Sequence, residues 1–81
     1  MAKYPCPCCS FLTLPHRGEY DICPVCFWED DASQETYPEL VSGANNELCL
    51  LQARENYRAF GACEKEMLAH VRKPLPEEYP E

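Results

Sequence analysis

Basic residues are scarce in this chain: seven lysines and arginines face fourteen aspartates and glutamates, a formal net charge of −7 at pH 7. Binding nucleic-acid phosphates needs a basic face, and the global field here repels DNA and RNA. Arg54, Arg58, Lys65, Arg72 and Lys73 form only a loose local cluster. Long apolar runs are also missing, so no stretch of the sequence reads as a transmembrane helix. Histidine occurs twice and glycine three times, and the sequence contains neither a glycine-rich phosphate loop nor a His-Glu-x-x-His motif. No apolar leader precedes Tyr4, so a cytoplasmic, reducing setting is expected.

Cysteine is what the chain has in excess: seven in 81 residues. A chain of this length is expected to form one domain, 1–81, and its core rarely supplies more than about 3–5 kcal/mol without a staple. An odd cysteine count makes a poor disulfide framework. Four of the seven fall into two pairs, Cys6-Pro7-Cys8-Cys9 and Cys23-Pro24-Val25-Cys26. A Cys-x-x-Cys turn places two thiolates on one side of the backbone, and two facing turns can supply four sulfurs to one tetrahedral ion. The expected ligands are therefore Cys6, Cys9, Cys23 and Cys26, with Zn2+ as the ion and iron in a rubredoxin-like cage as the alternative. Four thiolates and one divalent ion would take the formal charge to about −9.

The segment between the pairs reads as two strands. Phe11-Leu12-Thr13-Leu14 is apolar, Pro15-His16-Arg17-Gly18 is turn material, and Glu19-Tyr20-Asp21-Ile22 alternates polar and apolar. Antiparallel pairing of these two strands would join the knuckles. Phe27-Trp28 is expected to shield the sulfurs. Glu29-Asp30-Asp31 reads as a solvated loop or the acidic start of a helical turn, and residues 32–47 as loop, anchored by Leu40-Val41. Leu50, Ala53, Tyr57 and Phe60 recur on one helical face, with Gly61 as the stop. Cys49 stands at the cap position of that helix, where a thiol accepts hydrogen bonds poorly. Leu51 lies off the main face and is expected against the zinc unit. A shorter helix is expected over about 64–71, ended by Pro74 and Pro76, and the acidic tail is expected to be extended, or disordered unless Leu75 or Tyr79 docks. The fold class is thus a small metal-stabilised α+β domain, a zinc-ribbon or rubredoxin-like pair of knuckles joined by a β-hairpin and followed by one or two short helices. Its units are 4–31 (knuckles and hairpin), 48–72 (helical) and 73–81 (tail).

These motifs resemble the cysteine-rich CPCC family. The resemblance rests on Tyr4-Pro5-Cys6-Pro7-Cys8-Cys9, on Ile22 to Asp31 around the second pair, on Gly43-Ala44-Asn45, on Ala53-Arg54-Glu55-Asn56-Tyr57, on Phe60-Gly61-Ala62 and on Val71-Arg72-Lys73-Pro74. It implies a small zinc-binding domain and no particular activity. Against the family pattern, Ser10 replaces a glycine after the first knuckle and Cys49 replaces a serine at the helix cap.

A closed all-cysteine shell leaves no position for water or substrate, so the ion is expected to be structural and the protein not an enzyme. Cys8, Cys49 and Cys63 are the remaining thiols, and His16 and His70 the only side chains that could serve them as bases in a thiol enzyme. Small packing residues are the simpler reading of those cysteines. The leading functional expectation is an interaction module, in one version an inhibitor or immunity-type protein, whose acidic surface (Glu29, Asp30, Asp31, Glu35, Glu47) meets a basic protein partner. An iron redox protein or thiol enzyme is the alternative, and a nucleic-acid-binding ribbon the third reading.

Overall fold

The computed structural model describes residues 3–80. Each Cys-x-x-Cys turn reverses the chain on itself. Strand β1 (Tyr4–Pro5) enters the first knuckle and β2 (Leu12–Leu14) leaves it, and the two pair antiparallel, Tyr4 opposite Leu14 and Pro5 opposite Leu12, with an irregularity between Tyr4 and Pro5. The second knuckle repeats the device with an isolated bridge, Ile22 opposite Glu29, extended by hydrogen bonds from Tyr20 N to Asp30 O and from Asp30 N to Asp21 O, both 3.0 Å.

This corrects the expected pairing. An antiparallel hairpin is present, but Phe11–Leu14 pairs back across its own knuckle and not with Glu19–Ile22. The reason is local. A turn that already reverses the chain brings its flanks together at the lowest loop-closure cost, and the flanks are extended residues with free ladder groups. The chain from Pro15 to Gly18 is held instead by Asp30, whose Oδ2 accepts Gly18 N at 2.7 Å.

The two knuckles are related residue by residue at a spacing of seventeen: Cys6 with Cys23, Cys9 with Cys26, Ser10 with Phe27. In each, the residue after the second cysteine donates back to the first, Ser10 N to Cys6 O and Phe27 N to Cys23 O, both at 2.8 Å. The turn closes only if that residue adopts a left-handed conformation, and Ser10 (φ 74°) and Phe27 (φ 71°) both do.

Beyond the knuckles, Asp31 caps a short helix, α1 (Ala32–Thr36), by accepting Ser33 N on its side chain at 2.8 Å. The segment 32–47 is therefore more ordered than the loop expected, with a 3-10 turn at Gly43–Asn45 as well. Leu40 and Val41 do not anchor it: they are 39% and 53% exposed. A polar tether replaces them, since the buried Gln34 amide donates to Leu40 O at 2.9 Å and to Leu48 O at 2.8 Å.

Helix α2 (Leu50–Phe60) falls where its periodicity placed it, with Leu50 and Ala53 fully buried. Gly61 ends it at φ 90°, its N–H bonded to Tyr57 O at 2.9 Å. Cys49 is the N-cap and makes no side-chain capping bond. Leu51 is 43% exposed and does not pack on the knuckles, because one residue step turns a helix side chain by about 100° away from the face that Leu50 buries. The expected second helix is a 3-10 helix, Lys65–His70. The tail docks: Tyr79 packs edge-on against Phe11, ring centroids 5.0 Å apart, and Pro76–Glu78 forms a further 3-10 turn.

Helical and knuckle halves are joined through backbone carbonyls at equivalent knuckle positions. Arg54 Nε donates to Pro7 O at 2.8 Å and Arg72 N to Pro24 O at 3.1 Å, while Cys63 N donates to Cys26 O at 2.8 Å. No helix among the described residues is long and apolar enough to cross a membrane.

Candidate metal centre

Cys6, Cys9, Cys23 and Cys26 converge. Their four Sγ atoms lie within 4.8 Å of one another, and all four residues are buried. Cys6 Sγ is 3.5 Å from Cys26 Sγ, and Cys9 Sγ is 3.7 Å from Cys23 Sγ. Sulfurs at 2.3 Å from a tetrahedral ion stand about 3.8 Å apart, close to these two separations. The four residues thus form a cluster compatible with metal binding.

The electrostatics point the same way. Four thiols in contact cannot all ionise in an apolar core without a counter-charge. Hydrogen bonds donated by Cys26, Cys6 and Cys9 hold the Cys23 thiol far below its ordinary value, and Thr13 adds to this. Hydrogen bonding to Cys23 pushes Cys6, Cys9 and Cys26 far above theirs. Mutual hydrogen bonding thus shifts the four thiols in opposite directions. A bound divalent ion would displace the thiol protons and allow every sulfur to ligate as thiolate.

Two groups around the cage escaped the sequence reading. The Thr13 hydroxyl lies 3.0 Å from Cys23 Sγ; against a thiolate it must be the donor. Val25 N donates to the same sulfur at 3.4 Å. A threonine alone in an apolar run was the available sign for the first. The second follows from any Cys-x-x-Cys turn whose sulfur folds over its own backbone.

The other cysteines are distributed differently. Cys8 and Cys63 are buried in the core cluster beside the four, and burial pushes the Cys63 thiol up to about 12. Cys49 is half-buried at the helix cap. Neither histidine hydrogen-bonds to a thiol among the described residues. His16 Nδ1 pairs with Asp21 Oδ2 at 3.1 Å, and His70 stacks on Phe27 with ring centroids 5.2 Å apart. Trp28 is fully buried against the sulfurs, as expected of a shielding residue.

The acidic run divides. Asp31 begins a helical turn as read from the sequence, but Asp30 and Asp31 are only 2% and 5% exposed. They are not part of a solvated surface, because distant groups draw them inward: Gly18 N donates to Asp30, and the Ser42 hydroxyl donates to Asp31 Oδ2 at 2.9 Å. Burial raises the Asp30 carboxyl above the usual range. Glu29, by contrast, is clamped through its backbone alone, its N–H donating to Asn45 Oδ1 at 2.9 Å and its carbonyl accepting Asn45 Nδ2 at 3.0 Å.

A small domain with one antiparallel hairpin, a few short helices and a buried four-cysteine cluster is the class these features define. A family model described as cysteine-rich CPCC matches residues 4–78, and the chain belongs to that family. No curated protein matches it in sequence.

Proposed function

We propose that the protein is a zinc-stabilised interaction module, a zinc-ribbon-like pair of knuckles that works as a binding surface and not as an enzyme. The observation that carries this reading is the cluster itself: four buried cysteines whose sulfurs all lie within 4.8 Å of one another. An ion held so has no position for substrate, and its binding energy is folding energy. Zinc suits such a role because it is redox-inert and imposes no geometry beyond the tetrahedron the sulfurs supply. Unpaired thiols at all seven cysteines accord with a reducing, cytoplasmic setting.

The partner proposed is a protein with a basic surface. The formal charge of −7 disfavours nucleic acid and favours a cationic protein, and an inhibitor or immunity-type role is one form this would take. With Asp30 and Asp31 turned inward, the acidic surface reduces to Glu29, Glu35, Glu47 and their neighbours.

Native mass spectrometry with elemental analysis tests the metal: one zinc per chain is expected, and iron with visible absorption would replace the zinc reading by a redox one. Captured partners should elute as ionic strength rises toward about 0.5 M, where the screening length falls below roughly 5 Å. Retention indifferent to salt, or a nucleic-acid mobility shift at moderate salt, contradicts the proposed partner class.

A further inference from the structure

A cavity of about 160 Å3 opens beside the second knuckle, lined in part by the apolar Ile22, Phe27 and Met67 and by the polar Glu29, Glu64 and Asn46. The apolar lining is partly unfinished, since Ile22 remains 47% exposed. Neither carboxylate is neutralised by a cation among the described residues. Asn45 clamps the backbone of Glu29 on both its N–H and its carbonyl, yet the Glu29 carboxylate has no hydrogen bond or ion pair among the described residues. Glu64 Oε1 accepts Asn46 Nδ2 at 2.8 Å, and no cation of this chain reaches either of its oxygens among the described residues. Four other carboxylates are paired, Asp21 with His16, Glu35 with Arg17, Glu55 with Arg58 and Glu78 with Arg72, while Glu19, Glu39, Glu47, Glu66 and Glu77 also lack a cation among the described residues; Glu29 and Glu64 differ in lining one cavity together. The nearest basic residue in sequence, Lys65, sets its Nζ over the Phe60 ring at 5.8 Å instead.

We propose that this cavity receives a lysine or arginine side chain of a partner protein. The ligand chemistry is a cationic head on an aliphatic stem: the stem lies against Ile22, Phe27 and Met67, and the head meets Glu29 and Glu64. An anion is excluded by the two carboxylates, and a purely apolar ligand would strip them of water without compensation. The inference rests on the acidic-module reading and names the place on the surface where it acts.

The test uses the metal-loaded full chain and amide NMR. The probes are three capped tripeptides with a central arginine, lysine or citrulline, the last having arginine's shape without its charge. Arginine and lysine peptides are expected to shift the amides of Ala44, Asn45, Asn46 and Met67, with the citrulline peptide about fivefold or more weaker. The double variant Glu29→Gln, Glu64→Gln should lose that difference. The variant Ile22→Lys, which places a cation of the chain's own at the rim and leaves both carboxylates intact, should abolish binding. Equal shifts from citrulline, or shifts mapping away from the cavity, would overturn the proposal. A nona-arginine peptide separates the two levels: salt-sensitive binding elsewhere on the surface sinks the cavity and leaves the acidic module standing, whereas no binding at all sinks both.

Discussion

Ser10 and Phe27 hold the same place in the two knuckles, and each is forced into a conformation that glycine adopts at less cost. For an L-residue the left-handed region costs roughly 1–2 kcal/mol, part of which glycine's greater unfolded-state freedom offsets. Ser10 is exposed and its side chain has no hydrogen bond among the described residues, so Ser10→Gly is expected to stabilise by about 0.5–1 kcal/mol, read as a higher thermal midpoint. Phe27→Gly should not, because Phe27 also packs against the core and carries His70 on its ring. At the start of α2, Cys49 has the extended backbone of an N-cap, φ −89° and ψ 162°, without a capping oxygen. Cys49→Ser restores one and is expected to add about 1 kcal/mol, measured by urea denaturation of the metal-loaded protein. The four clustered cysteines and the uncapped helix were legible in the sequence, because each depends on spacing or a local cap signal, whereas Ser10 stood out only through the family resemblance and the equivalent conformation of Phe27 was not read. The inward turn of Asp30 and Asp31 was not legible either. Three adjacent carboxylates look solvated, and the donors that draw them in, Gly18 N and the Ser42 hydroxyl, come from segments twelve and eleven positions away.

Among the elements, α2 was readable to its ends, since its apolar period and Gly61 are signals within one segment. The partner of β2 was not, because Phe11–Leu14 is equally compatible with a strand before the knuckle or one after the turn at Pro15–Gly18. The C-terminal segment is held by the long-range contact of Tyr79 with Phe11 and by a local ion pair. Arg72 donates through Nη1 to Glu78 Oε1 and through Nη2 to Glu78 Oε2, both at 2.8 Å, and Leu75 N donates to Glu78 Oε1 at 2.8 Å. The Arg72 guanidinium, helped by that backbone donor, holds the Glu78 carboxyl below its ordinary range. A carboxylate lowered in the folded state stabilises the fold fully above its unfolded value, about 4.3 for glutamate, and that contribution is lost as pH falls through the lower native value. The difference in thermal midpoint between the unaltered chain and Glu78→Gln should therefore be constant above about pH 5 and vanish in stronger acid. A pH-independent difference would show that the pair contributes through packing alone. Both chains share one cage, so acid loss of any bound metal would act on both alike.

For the molecule as a whole, the core is largely sulfur. Cys6, Cys8, Cys9, Cys23, Cys26 and Cys63 are six of the eleven residues in the buried cluster, with Leu14, Val25, Trp28, Leu50 and Ala53 completing it. Without an ion, four of these sulfurs become a polar knot of thiols at the centre of a small domain, and what remains is too little apolar surface to order the chain. Helix α2 cannot stand alone either, since isolated helices shorter than about 12–15 residues are marginal in water. On the proposed reading, folding and metal binding are therefore one event. Trp28, fully buried and the single tryptophan of the chain, reports on it directly. The decisive measurement is the near-ultraviolet circular dichroism of Trp28 before and after removal of the metal by a strong chelator, with removal verified by elemental analysis. The expected result is collapse of the aromatic signal together with most of the helical signal, both returning when zinc is added back. An unchanged near-ultraviolet spectrum in the verified metal-free protein would contradict a structural role for the four-cysteine cage.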